Sequence, residues 1–375
     1  MNFGFSEEQE LLRAEVRKFL DQTCPLEEVR KLVLTPEGFS RSSFARMAEL
    51  GWLGLALPEA QGGAGLGWVD LVVLFEETGR SLFPSPLLAT TLAAQAIERA
   101  GSPEQRARWL PRLAGGSAIG SLAFLEASDR LDPGGIALCG ARDGAARVLS
   151  GEKHFALDAP AADLFVVAFR EGPGAEEISL ALLERGARGL QILPQLCIDR
   201  TVRQGRLRLD GVRVGPEELL GAPGSGWPAL AALLDRGALA VAAEGVGAAE
   251  AALALTVAYA KARVQFGQPI GRFQGVKHPL AQMYADLEST KALLYYAAWA
   301  LDQRPEQAPL AVSRAKATLS EFFPQMGIDV VQLHGAIGIT HEYDAHLYLK
   351  RAKWARPAFG DSDFHYERIA ALGGL

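Results

Sequence analysis

The spacing of apolar positions changes twice along the chain. From Ser6, with Gln9 three residues on in a capping-box arrangement, Leu11, Leu12, Val16, Phe19 and Leu20 recur at helical intervals and predict an amphipathic opening helix. Further helices are expected at 42–50, 68–79, 85–100 and 102–114. Between Ser117 and Leu220 the pattern shortens to β-rich runs at 164–169, 179–183 and 205–209, parted by Gly, Pro and Asp clusters. These predict a compact antiparallel sheet or small barrel. After Gly221 helical spacing returns over about 229–263, 273–302, 308–336, 342–353 and 362–372, the signature of an antiparallel four-helix bundle. Pro279 falls inside the second of these and should kink it or mark its true start a few residues later. The fold class is therefore α+β, mainly α: an N-terminal helical domain (1–116), a middle antiparallel β-domain (117–221) and a C-terminal four-helix bundle (222–375). Helix, sheet, helix without alternating strand–helix units argues against a Rossmann arrangement.

A chain of 375 residues, 49% of them apolar, can bury a substantial core. Its net charge of −6, without basic blocks, gives no footprint for nucleic acid or an anionic membrane. Cys24, Cys139 and Cys197 are odd in number and widely spaced, which implies neither a disulfide framework nor a metal cluster. His334, His341, His346 and His365 show no spacing that compels a metal, and none is expected. The start is acidic and polar, and no uncharged apolar run of about 18 residues is present. A cytoplasmic location is expected.

The richest stretch is the end of the small-residue helix. Leu230 to Ala262 is almost wholly Ala, Leu, Val and Gly, and at about 1.5 Å per residue it should run roughly 50 Å. Gly267, Pro269 and Gly271 force it to stop near Arg263. Arg263 then either complements the helix dipole, with Phe266 in the core, or joins Phe266 and the Gln274 amide in a site for a dinucleotide pyrophosphate.

The segment RVQFGQPIGRFQ resembles the signature of the flavin-dependent acyl-CoA dehydrogenases, with Arg263, Phe266 and Gln274 on its matching positions. FSEEQELLRAEVRKFL, LGWLGLALPEAQGGAGLGWVDLVVLFEETGRSL, GEKHFALDAPAADLFVVAFR, DGVRVGPEELLG and QLHGAIGITHEYDAHLYLKRAK are similar to further family stretches in the same order. The resemblance thus spans nearly the whole chain. It implies FAD, with its pyrophosphate and adenine side bound by Arg263, Phe266 and Gln274, usually of a neighbouring subunit. Gln332, Gly335 and Gly338 match further cofactor-binding positions, and Phe155 and Leu157 lie on the flavin-facing strand. The implied reaction is the α,β-dehydrogenation of an acyl-CoA thioester to the trans-2-enoyl-CoA, in fatty acid metabolism. A carboxylate takes the α-proton while the β-hydride passes to flavin N5. An electron-transfer flavoprotein is the implied acceptor, and a homotetramer, a dimer of dimers, the implied assembly.

Several positions depart from the family pattern. The usual base is a Glu in Glu-Gly-Thr-x-x-x-x-Arg, and Asp361 stands on that position, seven residues before Arg368. Losing one methylene retracts the carboxylate by roughly 1.5 Å, where a shift of about 1 Å can cost a hundredfold in rate. Gly237 holds the alternative base position of some members. Glu244, two turns or roughly 10 Å further on, is the second candidate, and its other reading is a structural Arg partner. Where the family has Lys-x-Trp-Ile-Thr/Ser, this chain has Lys153, Phe155 and Leu157, leaving a backbone amide to serve flavin N5. These features, with the FGDSDFH ending, resemble the smaller subunits of two-component bacterial acyl-CoA dehydrogenases. The alternative is thus an FAD-binding subunit, non-catalytic or partly catalytic, in a heterotetramer whose related larger chain supplies the base. Asp361 is the expected base and Glu244 the second choice.

Overall fold

The computed structural model describes residues 4–174 and 176–375. Ser6 caps the first helix in both directions: its Oγ accepts from the Gln9 N–H at 3.2 Å, and its own N–H donates to Gln9 Oε1 at 3.0 Å. Helices α1 (Glu7–Thr23), α2 (Leu26–Leu32), α3 (Arg41–Glu49), α4 (Trp68–Arg80), α5 (Leu87–Ala100) and α6 (Pro103–Ala114) come before the strands. Apolar spacing does not predict α2, which at seven residues is too short to carry a stripe.

Strands β1 (Gly120–Ala123), β2 (Gly140–Asp143), β3 (Ala146–Leu157), β4 (Leu164–Arg170), β5 (Ile178–Glu184), β6 (Leu190–Gln195), β7 (Gln204–Val214) and β8 (Leu219–Leu220) build two four-stranded sheets. Their orders are β1-β4-β5-β8 and β2-β3-β7-β6. One pairing corrects the antiparallel expectation, because β1 runs parallel to β4. The chain leaves β1, forms β2 and β3 in the other sheet, and only then returns, a crossover long enough to bring it back in the same direction. β4 is buried from Leu164 to Phe169, which explains why it reads as a continuous apolar run without alternation.

The chain continues as α7 (Trp227–Ala262), the hairpin β9 (Val264–Gln265) and β10 (Gln268–Pro269), then α8 (Gln274–Gln303), α9 (Ala308–His334), α10 (Ala345–Ala355) and α11 (Ser362–Gly373). α9 packs against α8, α10 and α11. α8 begins at Gln274, five residues ahead of Pro279 and not after it. The proline lacks the N–H that would meet the Gly275 carbonyl, so the loss is confined to one bond in the second turn.

Two compact units divide these elements. One holds the chain up to Lys31, Gly67–Phe83 and Ala238–Leu375; the other holds Leu32–Leu66 and Pro84–Gly237, with both four-stranded sheets. By length and composition alone α7 is apolar enough to cross a membrane, although charged residues interrupt it. However, 72% of its most apolar window is buried inside the protein, so it is a core helix.

The small residues of α7 have a geometric use in the first unit. A Cβ at Gly247 would lie 1.8 Å from the Glu76 carbonyl oxygen of α4, and one at Gly79 would lie 2.0 Å from the Glu244 carbonyl. Two backbones therefore approach with no side chain between them. Glu76 and Glu77, buried on α4, are answered by Arg13 and Arg17 of α1, by the Tyr295 hydroxyl of α8 and by Arg80. Since the obstacle at Gly247 is backbone and cannot rotate away, Gly247→Ala should cost about 2 kcal/mol or more despite its better helix propensity. Gly275→Ala, with nothing within 4 Å of its Cβ, should be near neutral. Urea midpoints of the two variants check this, and equal midpoints would refute the close crossing.

Candidate active site

α7 gives out at Ala262, and the Arg263 N–H still donates to the Tyr259 carbonyl at 2.8 Å. β9 and β10 then pair through a two-residue turn in which Phe266 (φ 51°) and Gly267 (φ 77°) are both left-handed. That is the geometry of a type I′ hairpin, and an aromatic at its first position is uncommon. Phe266 is 92% exposed and meets Phe273 edge to face, with ring centroids 6.0 Å apart. Arg263 is exposed and forms no ion pair among the described residues, and Gln274 opens α8 on the surface. A cation, an aromatic and an amide are thus turned outward from one corner.

Gln332, Gly335 and Gly338 lie where α9 ends. Gly335 caps the helix at φ 63°, ψ −142°, its N–H donating to the Gln332 carbonyl, and the space beyond its Cα is open. Gly338 is buried, and a Cβ there would sit 2.6 Å from the Val331 carbonyl. The His334 ring packs at a tilt against Tyr259 and Tyr343, with centroids 4.6 Å and 4.9 Å away, and the Tyr259 hydroxyl donates to the His334 carbonyl at 3.4 Å. Burial lowers the His334 pKa, which suits a packing ring. Tyr259 precedes Arg263 by one turn, so the ends of α7 and α9 share a corner. Arg263 and the Gln332–Gly338 segment are brought to the same end of the helical unit.

On β3, Lys153 is fully buried, its Nζ 2.6 Å from Glu126 and 3.2 Å from the Phe124 carbonyl. Burial pushes its pKa down to about 8, against the pull of Glu126. Glu126 also accepts from the Ala137 and Leu138 N–H groups. The register slips between Lys153 and Ala156, where Phe155 adopts φ 54° and remains 41% exposed. Its N–H donates to Gln195 Oε1 at 2.7 Å. Leu157 is buried and its carbonyl accepts from Ser121 Oγ at 2.6 Å.

The two candidate carboxylates have different surroundings. Glu244 lies 3.3 Å from Arg351 of α10, whose side chain is only 2% exposed and whose guanidinium also stands over the Trp354 ring at 5.7 Å. Asp361 caps α11, its Oδ1 accepting from the Phe364 N–H at 3.0 Å. Before it, Phe359 (φ 56°) and Gly360 (φ 103°) both have positive φ, which is strained for the phenylalanine and natural for the glycine. Sequence reasoning missed two groups beside this loop, Lys316 and His365, both fully buried. The available signal was a lysine on the stripe Val312, Lys316, Leu319, Ser320, Phe323, at core spacing in α9.

Residues 6–117 match the acyl-CoA dehydrogenase N-terminal domain and residues 224–373 the acyl-CoA dehydrogenase C-terminal domain. Acyl-CoA dehydrogenase IpdE2 of Mycobacterium tuberculosis is 34% identical over 92% of this chain and 91% of its own. Butyryl-CoA dehydrogenase from Megasphaera elsdenii superposes with a TM-score of 0.92 at 25% identity, covering 100% of both chains. A chain of the ChsE4-ChsE5 complex from Mycobacterium tuberculosis gives 0.90 at 27% identity, covering 100% of this chain and 99% of that one. With both domains matched and the same folded order throughout, this chain belongs to the acyl-CoA dehydrogenase family, the FAD-dependent oxidoreductases that act on acyl-CoA thioesters.

Proposed function

We propose that this chain dehydrogenates an acyl-CoA thioester to its trans-2-enoyl-CoA, with Asp361 as the base. The residues present fit FAD: Arg263 is an exposed cation without an ion pair among the described residues, Phe266 is an exposed ring on a tight turn, and Gly335 offers open backbone. Arg263, Phe266 and Gln274, with Gln332, Gly335 and Gly338, would hold the pyrophosphate and adenine side. Phe155 and Leu157 would lie along the ring system. Bound FAD supplies the acceptor for the β-hydride. Asp361 removes the α-proton, and the observation that carries this role is its anchoring. One oxygen is fixed by the Phe364 N–H while the other makes no hydrogen bond among the described residues. A base held by one oxygen keeps the other aimed, which is what proton abstraction next to a carbonyl needs.

Electrons then leave to an electron-transfer flavoprotein, and the chain assembles as a dimer of dimers. The second reading, a subunit whose related partner supplies the base, is favoured by the short side chain at 361 and by Leu157, which carries no hydroxyl. The likeness to a chain of the two-component ChsE4-ChsE5 assembly supports it as well. Anaerobic titration of the purified, FAD-loaded chain with a series of acyl-CoAs separates the two. Bleaching of the flavin by the chain alone is expected. Spectral perturbation without bleaching, converted to bleaching only by a companion chain, would establish the second reading instead.

A further inference from the structure

We propose that Lys316 is a positioning residue for this reaction: from inside α9 its amine fixes the loop between Arg356 and Asp361 that presents the carboxylate. The inference rests on Asp361 being the base. Lys316 is fully buried, and its Nζ donates to Gly360 O at 2.6 Å, Ser320 Oγ at 2.8 Å and Arg356 O at 2.9 Å. Three acceptors match the three hydrogens of an ammonium. His365 Nε2, also fully buried, lies 3.1 Å from the Phe359 carbonyl. The carbonyls of Arg356, Phe359 and Gly360 are therefore each taken by an internal nitrogen.

A lysine is a costly way to pack α9 against α10 and α11. Desolvation drives its pKa down to about 7 against the attraction of Asp361, and an apolar side chain of the same volume would carry no such penalty. A helix cap alone would account for the bond to Arg356, the residue that ends α10. It leaves the shorter bond to Gly360 unexplained. That bond acts next to strained backbone: Phe359 is held at φ 56°, and no side chain fits at Gly360, where a Cβ would come within 2.4 Å of Phe364 and 2.9 Å of His365. A loop in this conformation stays put only if its surroundings over-determine it, and charge-assisted bonds to adjacent carbonyls do so. Asp361 follows immediately, so a shift at Gly360 passes directly to the carboxylate.

The test compares FAD-loaded wild type, Lys316→Met, Asp361→Asn and the double variant, reading flavin reduction by an acyl-CoA and hydrogen exchange over 356–364. Lys316→Met should lower the reduction rate about tenfold or more, with KM within about twofold and flavin content unchanged. Exchange over 356–364 should quicken about tenfold. In the Asp361→Asn background Lys316→Met should have no further effect on rate, because both act through one group. An unchanged rate in Lys316→Met, or an equal fall in both backgrounds, overturns the proposal. If Lys316→Met does not fold, Lys316→Gln, whose amide offers two hydrogens for the three acceptors, is used instead: a partial fall in rate that disappears in the Asp361→Asn background is expected, and an equal fall in both backgrounds overturns the proposal. Full activity in Asp361→Asn alone would remove the base and leave exchange over 356–364 to judge whether Lys316 holds the loop.

Discussion

Asp361→Asn should slow flavin reduction by an acyl-CoA by about a hundred- to ten-thousand-fold, the usual weight of a general base, while flavin content and the thermal midpoint stay at wild-type values. The amide is nearly isosteric and caps helices as well as aspartate does, so its oxygen can still accept the Phe364 N–H that now binds Oδ1. What it loses is the ability to take a proton. Asp361→Ala loses both functions and should in addition cost about 1 kcal/mol for the missing cap. Asp361→Glu returns the methylene that the chain lacks and carries the carboxylate about 1.5 Å further. Its rate therefore reports on whether the loop has been shaped around the shorter side chain. Stopped-flow reduction at saturating acyl-CoA measures all three. An Asp361→Asn protein that reduces its flavin at the wild-type rate would sink the assignment.

What could be read from the sequence was local. The Ser6–Gln9 capping box, the breaks at Gly267, Pro269 and Gly271, and the long helices are each specified by residues within a few positions of one another. The structure has the same features, with helix ends shifted by up to three residues. The parallel pairing of β1 with β4 was not legible, because nothing near Gly120 says that the partner lies beyond two intervening strands. The surroundings of the candidate carboxylates were hidden for the same reason. Lys316 reaches Gly360 across 44 positions, and Arg351 reaches Glu244 across 107. Each showed in the sequence only as a charge at core spacing. Such a charge announces that a partner exists without saying which.

Glu244→Leu should destabilise the protein by about 3–5 kcal/mol, because it takes a carboxylate away from the Arg351 guanidinium, which is only 2% exposed. Arg351→Met should cost less: the Glu244 side chain is 14% exposed and water can take over part of the arginine's role. The double variant should recover much of the loss, since two apolar groups of similar volume replace the pair without stranding a charge. Urea midpoints of the four proteins, each loaded with FAD, measure this coupling. The same position decides between the two carboxylates. If Glu244 ties α7 to α10 and does nothing else, Glu244→Gln, which keeps a hydrogen-bond acceptor toward Arg351, should reduce its flavin at close to the wild-type rate. A folded Glu244→Gln protein that binds FAD yet fails to reduce it would move the base from the α11 cap to α7. The substrate would then have to lie in a different pose, with its α-carbon toward the small-residue helix.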